Sequence, residues 1–376
     1  MKDIGIYIHI PYCKRKCSYC NFHFSTNFST KDDLISSILL EIQARKHEAQ
    51  DMRVSSIYFG GGTPSVLNSI ELNRIFDMLL QHYQIGEGIE ISFEMNPDDV
   101  VSSYVKELVR TPINRISLGV QSFHDSELQF MNRVHDANVS NESIRLLQNF
   151  GYGNLTIDLI FGVPQSSTET WAANLNKLLE YNLNHFSAYL LTVEDRTKLS
   201  FDVKNSSVKM VTDEIAIEQM NYLLDFAEAS GFEAYEISNF AKEGYRAIHN
   251  SNYWKGIPYL GFGPSAHSYD GVNRRANISH NLDYIKAVST GLDYFNIEIL
   301  SNKNRCNEFL MLNLRKIEGI DLALLEENFT AYFPRIYKIF QQYVVSGAVI
   351  EKNNFISLTK KGRMISDKII SDLFEV

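Results

Sequence analysis

The chain has 376 residues, of which 44% are hydrophobic and 22% are charged, and its formal net charge is −9. This length suffices for one large α/β domain and a smaller one, and the hydrophobic content predicts a substantial core rather than extended disorder. The negative charge disfavours non-specific nucleic-acid binding. No apolar run approaches the ~20 residues of a membrane helix and no signal peptide is recognisable, so we expect a cytoplasmic protein.

The first element is an apolar, β-branched run over residues 4–10, which predicts a short buried strand. Cys13, Cys17 and Cys20 follow it in one tight loop. No fourth cysteine lies at a spacing that would close a structural zinc site. An iron–sulfur cube held by three cysteines leaves one iron open to a small molecule. The loop therefore predicts a [4Fe-4S] cluster with an open coordination position.

Two alternatives stay open for this loop. His9 or His23 could complete a Cys3His zinc site. A disulfide is the second alternative, although cytosolic thiols normally stay reduced. The remaining cysteine of the chain, Cys306, is predicted to be a small buried hydrophobe.

Strands and helices alternate after the cysteine loop. Further strands are predicted at residues 54–59, 89–93, 115–120, 155–161 and 185–191, with helical segments between them. Six strands separated by helices predict a parallel sheet with right-handed crossovers. Six β/α units are too few for a closed eight-stranded barrel, and a partial (β/α)6 barrel fits the pattern.

Polar residues and glycines stand where these predicted strands end. The second strand runs into Gly60–Thr63, Glu94 follows the third, Gln121 the fourth, and Asp158 lies near the end of the fifth. The carboxyl ends of barrel strands form the active face, which favours site roles for these residues. A glycine run is otherwise simply a turn, and the carboxylates could be helix N-caps.

The last part of the chain predicts a small α+β unit that resembles a winged helix. Helices are expected at residues 308–315, 322–329, 336–345 and 359–374, with a hairpin over 348–358 that turns at Asn353-Asn354. From Arg305 onward there are ten basic and nine acidic residues, so no basic footprint supports DNA binding. We divide the chain into a barrel at 1–235, a connecting segment at 236–303 and this domain at 304–376.

The CxxxCxxC spacing directly after a first strand resembles the signature of the radical S-adenosylmethionine (radical SAM) superfamily. Segments 7–13, 60–64, 118–122 and 157–164 resemble the oxygen-independent coproporphyrinogen III oxidase family within it. This resemblance implies a radical SAM partial barrel, a [4Fe-4S] cluster on Cys13, Cys17 and Cys20, and bound SAM. The positions matching the family's SAM contacts are Tyr7, Tyr19, Gly61, Gly62, Thr63, Glu94, Gln121, Arg133 and Asp158.

A second motif lies in the connecting segment. On chemistry alone, a single histidine is more often a hydrogen-bonded structural residue than an axial heme ligand. The run from His249 through Asn250 to Tyr253 and Trp254 is similar, however, to the HNxxYW motif of the heme-chaperone branch of the same family. The resemblance implies that these four residues bind heme.

Phe22 favours that branch over the oxidative decarboxylases, which carry a further cysteine at this position. The first strand also begins at Ile4, without the longer amino-terminal extension of the decarboxylases. We therefore expect a heme chaperone that binds heme, a [4Fe-4S] cluster and SAM and passes heme to acceptor hemoproteins, some of which could bring it to a membrane. No catalytic residue is assigned and no coproporphyrinogen oxidase activity is expected. The alternatives are a coproporphyrinogen III oxidative decarboxylase and a SAM-binding scaffold without chemistry.

Overall fold

The structure, a computed structural model, describes residues 1–375. Parallel strands at its centre lie side by side in sequence order: β1 (Lys2–Ile10), β2 (Met52–Gly61), β3 (Ile85–Met95), β4 (Arg115–Gln121), β5 (Leu155–Phe161) and β6 (His185–Leu190). Each pairs with the next in parallel. The α/β fold class and the run of six parallel strands predicted from the sequence are confirmed.

Helices connect these strands and cover the sheet: α1 (Lys31–Ala44), α2 (Ser69–His82), α3 (Ser102–Leu108), α4 (Asp125–Phe130), α5 (Ala137–Asn149) and α6 (Thr168–Glu180). Short 3-10 turns lie at Lys46–Ala49, Pro64–Val66 and Pro97–Asp99. The start of α2 shows why a helix forms at this point of the chain. The Asn68 side chain accepts a hydrogen bond from the Glu71 backbone, and the Glu71 carboxylate accepts one from the Asn68 backbone. Leu72, Ile75 and Leu79 then bury one face of the helix.

Strand β1 shows how the sheet presents residues to the site. Ile6 and Ile8 are fully buried on one face, and Tyr7 and His9 alternate with them on the other. The interior of the barrel is therefore lined by the polar set of this strand, while the apolar set packs beneath the helices.

Residues 236–303 do more than connect two domains, because they extend the sheet at both edges. After α7 (Lys198–Lys204) and α8 (Asp213–Ala229) come β7 (Glu233–Ala234), β8 (Asn239–Ala241), α9 (Ile248–Trp254), β9 (Tyr259–Phe262), β10 (His267–Tyr269), β11 (Asn273–Asn277), α10 (Asn281–Thr290) and β12 (Phe295–Ile299). Strand β8 pairs with β6, and β9 pairs with β1. Over residues 1–375 the result is a twelve-stranded sheet with β12 and β7 at its edges.

The last segment builds its own core. Its elements are α11 (Asn302–Leu314), β13 (Ile320–Asp321), α12 (Leu322–Asn328), α13 (Phe333–Val345), β14 (Val349–Lys352), β15 (Phe355–Leu358), α14 (Lys360–Arg363) and α15 (Ser366–Leu373). Asn353 and Asn354 both have positive φ, 51° and 67°, which confirms the predicted hairpin turn. Cys306 is fully buried here, as predicted. The prediction of a single last helix over residues 359–374 is wrong in one respect, because residues 360–373 form two short helices.

None of the helices within the described residues is both long and apolar enough to cross a membrane.

Candidate functional site

The loop after β1 brings three thiols to the wall of one cavity. Cys13, Cys17 and Cys20 are free and partly exposed, and all three line a cavity of about 620 Å³. Backbone hydrogen bonds hold the loop, with the Cys13 N–H donating to the Ser25 carbonyl at 3.0 Å and the Ser18 N–H to the Met131 carbonyl at 3.1 Å. These contacts place the cysteines at the carboxyl end of the sheet, where the sequence predicted them.

The histidines of the zinc alternative are engaged elsewhere. The two ring nitrogens of His9 lie 3.1 Å from the Tyr7 hydroxyl and 3.2 Å from the His23 carbonyl oxygen. Burial lowers the pKa of His9 to about 4, so its ring is neutral. His23 Nε2 lies 2.8 Å from the Asn281 side-chain oxygen. Within residues 1–375, no group of three or more His, Cys, Asp or Glu side chains is arranged to hold a single metal ion.

The cavity gathers eight of the nine residues for which the sequence predicted SAM contact. They are Tyr19, Gly61, Gly62, Thr63, Glu94, Gln121, Arg133 and Asp158. Tyr7 instead lines a second, smaller cavity beside it. These eight residues therefore lie around one cavity, and contact with SAM stays a prediction for each of them.

Gly61 and Gly62 are required by the protein's own packing. A Cβ on Gly61, whose φ is +109°, would lie 2.6 Å from the His9 ring. A Cβ on Gly62 would lie 2.8 Å from the Tyr12 backbone. Since both glycines also line the cavity, their backbone is the surface that a ligand meets there.

Two partly buried carboxyls lie at the inner end of the cavity. Glu94 accepts a hydrogen bond of 2.7 Å from the Tyr58 hydroxyl, and Asp158 accepts one of 3.0 Å from Ser117. Burial raises the pKa of Glu94 to about 7 and that of Asp158 to about 6. The pair is therefore only partly ionised near neutral pH, and a hydroxyl or cationic ligand would favour its charged form.

Arg133 connects the cavity to the cysteine loop. Its guanidinium donates to Cys17 Sγ at 3.2 Å, to the Asn96 side chain at 2.6 Å and to the Gly119 carbonyl at 2.8 Å. Its Nε is buried without a hydrogen-bond partner among the described residues. That orphaned donor, the three adjacent thiols and the two glycines form a donor set that fits an anionic group beside a thiolate-bound cluster.

The smaller cavity, about 230 Å³, lies deeper in the barrel and shares Glu94, Ser117, Asp158 and Tyr189 with the larger one. It contains three of the four residues for which heme binding was predicted: His249, Asn250 and Tyr253. Trp254 is not part of its lining, and the indole N–H is buried without a partner within residues 1–375.

His249 is closed off in this structure. Only 2% of its surface is exposed, and its ring nitrogens lie 2.8 Å from Ser56 Oγ and 3.0 Å from the Tyr253 hydroxyl. Burial lowers its pKa to about 3, so the ring is neutral. Glu90 fixes the start of α9 by accepting from the backbone N–H of His249 at 2.9 Å. Iron ligation by His249 would require one of these side-chain contacts to open.

Known proteins similar to this chain cover most of its length. Residues 7–178 match the model of the radical SAM superfamily, and residues 300–365 match that of the HemN C-terminal domain. Heme chaperone HemW of Lactococcus lactis subsp. lactis is 32% identical over 337 residues, covering 89% of this chain and 88% of the relative. The chain belongs to the HemW family of radical SAM proteins.

Other relatives agree with the HemW assignment. Heme chaperone HemW of Bacillus subtilis is 28% identical, with 96% of this chain and 97% of the relative covered, and HemW of Escherichia coli is 33% identical over 71% and 70%. Coproporphyrinogen III oxidase (HemN) of Escherichia coli has the same fold, with a TM-score of 0.85 at 22% identity over 99% of this chain and 90% of that one. Membership in the radical SAM superfamily implies a [4Fe-4S] cluster and SAM.

Asn96 is the site residue that sequence reasoning missed. It directly follows β3, lines the larger cavity and contacts both Thr63 and Arg133. The available signal was its position, because it is a polar residue two places after Glu94 at a strand end. The structure also places Phe22 at the cavity wall with 70% of its surface exposed.

Proposed function

We propose that this protein is a heme chaperone that binds heme, a [4Fe-4S] cluster and SAM and delivers heme to acceptor hemoproteins. The observation that carries the proposal is the 32% identity to Lactococcus lactis HemW over 89% of the chain. The cysteine loop and the cavity agree with it, because they supply three thiols beside a space large enough for a small molecule.

In this proposal Cys13, Cys17 and Cys20 would hold the cluster, which would leave one iron open to SAM and would supply electron transfer when bound. The residues that line the larger cavity would hold SAM. Gly61 and Gly62 offer their backbone to it, and the remaining contacts come from Tyr19, Thr63, Glu94, Gln121, Arg133 and Asp158. Arg133 Nε suits a carboxylate, and the Glu94 and Asp158 carboxyls suit hydroxyls or an amine. Tyr7 acts one step away, because its hydroxyl holds His9 beside Gly61.

Heme binding is proposed to involve His249, Asn250, Tyr253 and Trp254. The smaller cavity, at about 230 Å³, is below the ~300–1,000 Å³ of typical small-molecule sites. Heme bound through these residues therefore requires α9 to move away from β2, so that His249 exchanges Ser56 for the iron. The aromatic rings of Tyr253 and Trp254 would then provide flat apolar contacts for the macrocycle.

The test uses one anaerobically reconstituted preparation. We expect about one heme per chain in an absorption titration, and transfer of that heme to a heme-free acceptor hemoprotein when the two are mixed. Conversion of coproporphyrinogen III to protoporphyrinogen, assayed with SAM and a reductant on the same preparation, should be absent. Decarboxylation without heme binding would replace the chaperone by the enzyme.

A further inference from the structure

A continuous chain of hydrogen bonds joins two of the three thiols of the cysteine loop. Thr63 Oγ1 donates to Cys13 Sγ at 3.3 Å, and Asn96 Nδ2 donates to Thr63 Oγ1 at 3.0 Å. On the other side, Arg133 donates to Asn96 Oδ1 at 2.6 Å and to Cys17 Sγ at 3.2 Å. Asn96 is the central member, with one donor to a thiol on either side of it.

The direction of every bond in this chain follows from the donor inventory. Arg133 has only donors, so the atom of Asn96 that faces it must be the carbonyl oxygen. The amide nitrogen then faces Thr63 and occupies an acceptor position on its hydroxyl, which leaves the hydroxyl hydrogen for Cys13. Among neutral side chains of this length, only an amide accepts a hydrogen bond at one atom and donates one from another.

The backbone of Asn96 is held firmly enough to act as the centre. Its N–H donates to Ser65 Oγ at 3.4 Å, its carbonyl accepts from the Asp99 N–H at 3.0 Å, and Pro97 follows it in a 3-10 turn. Ser65 in turn donates to the Asp99 carboxyl at 2.5 Å. These contacts fix where the amide projects between the cysteine loop and β4.

We propose that Asn96 is a positioning residue that holds Thr63 and Arg133 as hydrogen-bond donors to two cluster thiolates and thereby raises the reduction potential of the cluster. The proposal rests on the cluster assignment above. Reduction adds negative charge to the cluster and its sulfurs, so donors aimed at those sulfurs favour the reduced state. Bonds to a thiolate are charge-assisted, and the Arg133 cation adds its own field from a buried position.

The test measures the midpoint potential of the reconstituted cluster by a redox titration followed by electron paramagnetic resonance, without SAM. Asn96→Asp conserves size and still accepts from Arg133, but it accepts from Thr63 as well and turns that hydroxyl away from Cys13. Thr63→Val removes the same hydroxyl with nearly unchanged volume. We expect both variants to shift the potential to more negative values, with the larger shift for Asn96→Asp because it also adds a charge.

Asn174→Ala is the matched control, because this buried amide bonds Ser122 and the Phe123 backbone and has no contact with the cysteines. Its potential should equal that of the unaltered protein. Unchanged potentials in both Asn96→Asp and Thr63→Val, at full iron content, would overturn the proposal. If the Asn96→Asp variant loses iron, the midpoint potential of the Thr63→Val variant alone decides whether the proposal holds.

Iron content and heme titration separate this outcome from failure of the proposed function. The unaltered protein must bind iron for the cluster assignment to hold, whatever the variants do. Heme binding by the control variant Asn174→Ala should match that of the unaltered protein, since Asn174 lines neither cavity.

Discussion

The two cavities share part of their walls but differ in how their polar groups are satisfied. The larger one offers three partly exposed thiols and, within the described residues, an unpartnered Arg133 Nε. The smaller one is lined by groups already bonded to the protein, such as His249 to Ser56. Iron ligation by His249 in the second cavity requires one of its side-chain contacts to open, whereas the three thiols of the first are already partly exposed. A motif match can therefore identify residues whose side chains are buried and already hydrogen-bonded in the folded chain.

The largest expected effect is loss of the cluster from the larger cavity. Replacing Cys13, Cys17 or Cys20 by Ala should reduce the iron content from about four per chain to near zero, because each cysteine is one of three ligands. The broad absorption at about 400 nm should be lost with the iron. Cys306→Ala is the matched control, since this cysteine is buried in the carboxy-terminal core. Zinc at about one per chain in place of iron would contradict the cluster.

Gly61→Val should abolish most SAM binding measured by calorimetry on cluster-loaded protein. A side chain there meets the His9 ring at 2.6 Å and forces a change in the cavity wall, so we expect a loss of more than about tenfold in affinity. Gly88→Val is the control for backbone strain, because Gly88 also has positive φ (63°) but no atom within 4 Å of its Cβ position. Equal SAM affinity in both variants would place the ligand elsewhere.

The smaller cavity can be tested by two buried histidines that both line it, of which only His249 belongs to the motif. His249→Ala should weaken heme binding by about tenfold, or shift the Soret band, if the imidazole reaches the iron. His185→Ala is the matched control, since its ring nitrogens are bonded to Thr156 and Tyr235 in the same cavity. Heme binding that responds equally to both changes would reduce the motif to a structural role.

The smallest effect concerns the carboxyls shared by the two cavities. Since the pKa of Glu94 is raised to about 7 and that of Asp158 to about 6, the charged forms are present above these values and are lost as the pH falls. SAM affinity should therefore decrease by only about threefold to fivefold between pH 7.5 and pH 5.5, because each carboxyl supplies one of several contacts to the ligand. Glu94→Gln should bind more weakly at pH 7.5 and show a flatter profile. An unchanged profile would remove Glu94 from the site.

Local sequence patterns were enough to predict the six parallel strands, the helices between them and most of the polar residues near the strand ends. Cys13 follows β1 and Glu94 lies next to the end of β3, where parallel strands bring such residues to one edge, whereas Asp158 lies in the middle of β5. Tyr7, whose SAM contact is predicted from the family resemblance, lines the deeper cavity because the period of two along β1 turns it inward. No local pattern showed that residues 239–241 and 259–277 would extend the sheet at opposite edges.

The sequence by itself determined the cysteine loop, the order of the β/α units and the family, because spacing and periodicity are properties of neighbouring residues. Only the tertiary structure decided which polar groups form hydrogen bonds and with which partners. The bonds of Arg133 to Asn96 and Cys17 span 37 and 116 positions, and that of His249 to Ser56 spans 193. Contacts across such distances depend on how the strands pack. The burial of His249 and the central position of Asn96 were therefore visible only in the folded chain.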